Sequence, residues 1–101
     1  MRVITLNANG IRSAAAKGAF AWLRDQSADV VCLQETKAHE PQLVGHDIEL
    51  PGYHGFFCDA ERPGYSGTAL YCKRKPSEVI RGFGVDEFDR EGRYLEARFG
   101  A

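Results

Sequence analysis

The sequence predicts an α/β fold in which a mixed β-sheet is flanked by a helix. Three observations carry that reading. Val30-Val31-Cys32-Leu33 is an unbroken apolar run between Asp29 and Gln34, the pattern of a short strand buried on both faces, as in a parallel sheet. Arg2-Val3-Ile4-Thr5-Leu6 reads as an earlier strand that ends at Asn7, and the residues between the two runs are enough for a crossover helix. Beyond residue 52, four further stretches carry β-branched, aromatic or alternating residues between Gly, Pro or Asp clusters.

Taken in order, residues 2–7 form the first strand and Asn9-Gly10 turns the chain. A helix starts near Ser13, which has the chemistry of an N-cap, and reaches about Gln26. Ala16, Ala19, Phe20 and Leu23 fall at i, i+3, i+4 and i+7 and make one apolar stripe that Trp22 widens. Gly18 inside this helix costs about 1 kcal/mol against Ala, which close approach to the sheet would offset. Residues 29–34 form the second strand. The polar segment 38–52 contains Pro41, Pro51 and Gly52 and holds one helical turn around Gln42-Leu43-Val44. Strands follow at 53–58, 68–73, 77–83 and 93–99. Glu78-Val79-Ile80-Arg81 does not alternate cleanly, whereas Leu95, Ala97 and Phe99 point inward between Tyr94, Glu96 and Arg98. The sheet is therefore parallel near the N-terminus and antiparallel afterwards. Helices come only from the first third, so one sheet face has little to cover it. The chain stops two residues after an apolar strand, with no closing helix, and residues 1–101 are expected to be the N-terminal portion of a single, incomplete domain.

Composition bounds the function. At 101 residues the chain is near the common size of one domain, and its 44% hydrophobic content supplies a modest core rather than a disordered coil. A formal charge of −1 argues against an overall basic nucleic-acid binder but leaves room for a local basic track. Arg12, Lys37, Arg62 and Lys73-Arg74-Lys75 are the candidates, and the plainer reading of the triplet is a solvated turn before Pro76. Cys32, Cys58 and Cys72 are odd in number and lack Cys-x-x-Cys spacing. They read as reduced thiols, those at 32 and 72 buried in apolar runs. His39, His46 and His54 lack the paired spacings of a zinc site. No stretch has the length of a membrane span or the form of a signal peptide. A soluble, cytoplasmic protein is expected.

One βαβ unit brings Asn7 and Glu35 to the carboxyl ends of neighbouring strands, the edge where open parallel sheets collect ligands. Glu35 stands there beside the basic Lys37. Taken locally, Glu35 reads equally as a solvated strand end, Asn7 as a turn former, and Tyr65 as an exposed loop aromatic.

Five blocks add to this local reading. Asn7-Ala8-Asn9-Gly10-Ile11-Arg12, then Asp29 to Lys37, Leu50-Pro51-Gly52-Tyr53, Gly64-Tyr65-Ser66-Gly67 and Glu91-Gly92-Arg93 occur in that order. Together they resemble exonuclease III and the related apurinic/apyrimidinic endonucleases, the DNA-repair branch of the endonuclease/exonuclease/phosphatase superfamily. The resemblance runs through essentially the whole chain but only the N-terminal part of the family's length. It implies a four-layer, two-sheet α/β sandwich, of which this chain contributes mostly one sheet and its flank. It also implies Mg²⁺-dependent hydrolysis, with Mn²⁺ as a substitute, of the phosphodiester 5′ to an abasic site, with 3′–5′ exonuclease trimming. The partner would be double-stranded DNA with abasic sites or 3′ ends, and no membrane.

The resemblance assigns Glu35 to the metal and Asn7 to the same metal and catalytic network. It assigns Arg12, Lys37 and Tyr65 to DNA. The chemistry is coherent: phosphodiester cleavage needs charge neutralised on the phosphate and leaving oxygen, and Mg²⁺ held by one or two carboxylates does so. Asn7 can donate and accept, which suits a metal-bound water or an orienting role. Arg12 and Lys37 as phosphate contacts would fix register without reading sequence. The glycines around Tyr65 let backbone approach a ligand. Some relatives carry an acidic residue where this chain has Asn9, so the site is one charge poorer here. Arg93 reads as structural, and Glu91 stays open. The family's later Asp/Asn pair and C-terminal Asp-His pair have no counterpart in these residues, and general-base catalysis needs such a group. The 101 residues alone are therefore expected to be inactive. Two other readings stand: a superfamily cousin acting on another phosphoester, or a non-catalytic piece that binds DNA or a partner.

Overall fold

Alternation along the strands sorts the central sheet into two unlike faces. The computed structural model describes residues 1–100. β1 (Val3–Asn7) and β2 (Val30–Gln34) pair in parallel from Val3↔Val30 to Asn7↔Gln34. β4 (Thr68–Cys72) runs antiparallel between β2 and β3 (His54–Cys58), giving the order β1-β2-β4-β3. Because side chains alternate with period two, Ile4, Leu6, Val31, Leu33, Phe57, Ala69 and Tyr71 share one face. The other face carries Val3, Val30, Cys32, Phe56 and Leu70, with the buried Cys58 and Cys72.

Two short helices cover the first face. α1 (Ile11–Ala16) and α2 (Ala19–Arg24) bury Ile11, Ala15, Phe20 and Leu23 in one cluster with Val31 and Leu33. Edge-on contacts of Phe20 and Phe57 with the Tyr71 ring, at centroid distances of 5.7 and 6.0 Å, complete the core. The Tyr71 hydroxyl donates to the Ile48 carbonyl at 2.7 Å, and burial pushes its pKa far up. The opposite face has no helix: Val3 is 55% exposed, and Val30, Cys32, Phe56 and Leu70 are half-buried. That corrects the expectation of a strand at 29–34 buried on both faces.

The single helix from Ser13 to Gln26 is likewise corrected. Gly18 adopts a left-handed conformation (φ 93°), stands just past Lys17, the C-cap of α1, and starts α2 as its N-cap. Gly10, not Ser13, caps α1, and Ala16 and Trp22 are exposed rather than in the stripe. The turn expected near residue 43 is a 3₁₀ turn, Glu40–Leu43. The last two strands do not join the central sheet. β5 (Glu78–Arg81) and β6 (Leu95–Arg98) form their own antiparallel pair, from Glu78↔Arg98 to Arg81↔Leu95.

Between β5 and β6 lies α3 (Asp86–Asp89), a helix outside the first third of the chain. The Asp89 carboxylate accepts from the Phe83 and Gly84 amides, both at 3.0 Å, and closes this loop on itself. Leu95 and Ala97 are half-buried, but so is Glu96, and Phe99 is exposed. Among the described residues no helix is long and apolar enough to cross a membrane.

Candidate active site

The segment that follows β2 is fixed from both sides by main-chain hydrogen bonds. Ala8, Gly10 and Ile11 amides donate to the carbonyls of Gln34, Glu35 and Thr36 at 2.8, 2.8 and 2.9 Å. From the other side, Thr36 and Lys37 amides donate to Gly67 and Ser66 carbonyls at 3.2 and 2.7 Å. Three chain segments therefore meet at residues 34–37, and all three were motif blocks in the sequence. The backbone there is strained. Asn9, Glu35, Lys37 and Ser66 all have φ between 44° and 54°, the left-handed region that non-glycine residues rarely occupy. Such conformations cluster where surrounding structure over-determines them, typically at functional sites. The buried Thr36 sits between two of them, and a Cβ on Gly67 (φ 87°) would collide with its hydroxyl.

This backbone aims Glu35 at Asn7. Asn7 Nδ2 donates to Glu35 Oε2 at 2.7 Å, while Asn7 Oδ1 accepts from the Asn9 amide at 3.0 Å. Lys37 Nζ donates to Asn9 Oδ1 at 2.6 Å and lies 3.7 Å from Glu35 Oε1. Arg12 Nη2 donates to the Lys37 carbonyl at 3.3 Å. The structure thus gathers Asn7, Glu35, Lys37 and Arg12. A cavity of about 240 Å³ opens on Glu35, lined by Asn7, Gln34, Ser66, Gly67, Thr68 and Arg93. Tyr65 does not line it. Its hydroxyl is linked to it through Arg93, whose Nη2 donates to Tyr65 Oη at 2.8 Å.

Arg93 is the residue that sequence reasoning missed, having read it as structural. Its signal was the Glu91-Gly92-Arg93 block, but only the return of the β5–β6 hairpin shows that it reaches the Glu35 cavity. Asn9, the apparent departure from an acidic residue, serves here as the acceptor for Lys37.

Glu35, half-buried, and Asn7, exposed, offer hard oxygen donors and one negative charge at a water-reachable edge. That set fits a cation that keeps most of its water, as Mg²⁺ does. In this arrangement Asn7 orients Glu35 through its amide nitrogen and keeps an oxygen lone pair for a bound water.

The model of the endonuclease/exonuclease/phosphatase family matches residues 4–101. The chain belongs to that family. This family member is 41% identical over 100 residues to the exodeoxyribonuclease of Bacillus subtilis, covering 98% of the chain and 38% of the relative. It is 38% identical over 101 residues to the DNA repair nuclease APEX1 of Danio rerio, covering 98% of the chain and 33% of that protein. Among solved structures it resembles an AP endonuclease from Archaeoglobus fulgidus, with a TM-score of 0.78 at 30% identity, over 98% of the chain and 37% of the other. The chain therefore spans little more than a third of these relatives, and its resemblance to exonuclease III and AP endonucleases holds along its own length.

Among the described residues no histidine lines this cavity. His39 Nε2 is engaged with the Ala60 carbonyl at 2.7 Å. His54 stands at the end of β3 that pairs with Cys72 and, across β4, with Val30, the far end of the sheet from Glu35.

Proposed function

We propose that the chain supplies the N-terminal portion of a single DNA-repair nuclease domain. The substrate would be duplex DNA with abasic sites or 3′ ends, cleaved 5′ to the abasic site with 3′–5′ exonuclease trimming. The observation that carries this reading is the 2.7 Å Asn7–Glu35 hydrogen bond, held by a left-handed backbone at the carboxyl ends of two parallel strands. The names of the relatives, exodeoxyribonuclease and DNA repair nuclease, favour this chemistry over that of a phosphatase.

In this reading Glu35 binds Mg²⁺, or Mn²⁺ in its place. When bound, the ion would neutralise charge on the scissile phosphate and leaving oxygen. Asn7 holds the Glu35 carboxylate in position. Lys37 and Arg12 take the flanking phosphates, and Tyr65 lies against the DNA beside the cavity. The half-covered sheet face, with Val3, Val30, Cys32, Phe56 and Leu70, is where the second sheet of a four-layer sandwich would lie. Free thiols at 32, 58 and 72 suit a reducing cytoplasm, and burial pushes all three above the usual thiol range.

Among the described residues no histidine and no carboxylate besides Glu35 lines the cavity to act as general base. The 101 residues alone are therefore expected to bind abasic duplex without cutting it. Incision assays with an abasic duplex and Mg²⁺ test both halves of the proposal. In a protein carrying the full family length, Glu35→Gln abolishes incision, and Asn7→Ala lowers it about 10- to 100-fold. Full incision by the Glu35→Gln protein would contradict the assignment, as would cutting by the 101 residues alone.

A further inference from the structure

Beside the Glu35 cavity, three side chains from two loops close a ring of hydrogen bonds. Arg93 Nε donates to Glu91 Oε1 at 2.9 Å, Arg93 Nη2 donates to Tyr65 Oη at 2.8 Å, and Tyr65 Oη donates to Glu91 Oε2 at 3.3 Å. Glu91 thus uses both of its oxygens, one on each partner. The Arg93 guanidinium also lies over the Tyr65 ring, 5.5 Å from its centroid, and that of Arg62 lies 5.2 Å from the same centroid.

The main chain beneath this ring has no slack. Gly92, between Glu91 and Arg93, is buried with φ 61°, and a Cβ there would come within 2.6 Å of the Ala60 nitrogen and 2.7 Å of the Cys58 oxygen. The Glu61 amide donates to the Arg90 carbonyl at 2.9 Å and ties the two loops a second time. A guanidinium carries five N–H donors. Two are spent on Glu91 and Tyr65, which leaves three. Arg93 is half-exposed and lines the same cavity as Glu35 and Asn7.

Building on the nuclease reading above, we propose that Glu91 is a positioning residue. It locks Arg93 and Tyr65 into one rigid unit, so that the free donors of Arg93 meet a DNA phosphate at the Glu35 cavity. A planar guanidinium held at its Nε edge offers a fixed fork, the geometry that suits phosphate oxygens. Left unheld, the same side chain would have to be ordered by the DNA itself. Arg93 holds the Glu91 carboxyl below the usual carboxylate range, so the anchor stays charged throughout the neutral range.

Glu91 is an anion beside a polyanion, and simple electrostatics says that removing its charge tightens DNA binding. Positioning says the opposite. Fluorescence anisotropy with an abasic-analogue duplex, without Mg²⁺ so that no strand is cut, gives affinity as a function of salt. For Glu91→Gln we expect affinity to fall about 3- to 10-fold and the slope of log K against log[salt] to shrink by about 0.9, one phosphate contact. In an Arg93→Ala background the same substitution changes nothing further. Glu91→Asp, which keeps the charge but shortens the reach to Arg93 and Tyr65, weakens binding in the same Arg93-dependent way and serves if Glu91→Gln fails to fold.

Tighter or unchanged binding by Glu91→Gln, or equal weakening with and without Arg93, overturns the positioning role while leaving the nuclease reading intact. Failure of the unsubstituted protein to bind the duplex overturns both.

Discussion

Ile11, Phe20, Leu23, Val31 and Leu33 are at most 1% exposed, whereas Phe83, Val85, Phe88, Tyr94 and Phe99 are each at least 36% exposed. The first set belongs to the βαβ region that carries Asn7 and Glu35, the second to the β5–α3–β6 region that delivers Arg93. One is held by a covered core, the other by point contacts. Arg81 Nε donates to the Phe57 carbonyl at 2.6 Å, Gly92 wedges against residues 58–60, and Tyr65 meets Glu91 and Arg93. Phe83, Phe88 and Tyr94 do stack on one another, with centroids 5.8 and 5.1 Å apart, yet they remain open to water. The difference teaches how the cavity is built: its Glu35 wall rests on hydrophobic burial, and its Arg93 wall rests on geometry at a few atoms.

Substitutions that separate these two kinds of support sharpen the contrast. In urea unfolding, Phe20→Ala should cost about 3–5 kcal/mol, because it removes a fully buried ring and leaves a cavity. Gly92→Ala should cost about 1–3 kcal/mol, since the added methyl meets backbone that cannot move aside. Phe88→Ala, at an exposed position, should stay within about 0.5 kcal/mol. A Phe88→Ala loss as large as that of Phe20→Ala would break the contrast and show that the hairpin has a core of its own.

The same contrast explains what could be read from the sequence. The β1 and β2 strands and the meeting of Asn7 with Glu35 were legible, because a short apolar run and a crossover leave few topologies. Phe20 and Leu23 were legible as core, since both fall on the buried face. The helix break at Gly18 was not, because a glycine inside a periodic pattern reads the same whether the helix passes through it or turns left-handed there. The pairing of β5 with β6 outside the central sheet was also hidden, since alternation reveals a strand but not its partner. Leu95 and Ala97 look core-facing in the sequence and are half-buried, but on a strand that pairs with β5 alone. Arg93 was misjudged for a related reason: its role depends on a hairpin docking onto residues 58–65, a contact between segments far apart in the chain. The left-handed φ values at Glu35 and Lys37 leave no mark on residue type, because neither is the glycine or asparagine that usually signals them.

Calorimetric titration of Mg²⁺ into the protein and into its Glu35→Gln variant tests the central claim most directly. The account predicts saturable heat for the unsubstituted protein and its loss in Glu35→Gln, with the fold unchanged by circular dichroism. Equal heats from both proteins, or no heat from either, would contradict the claim that Glu35, held by Asn7 on its strained turn, is the metal ligand.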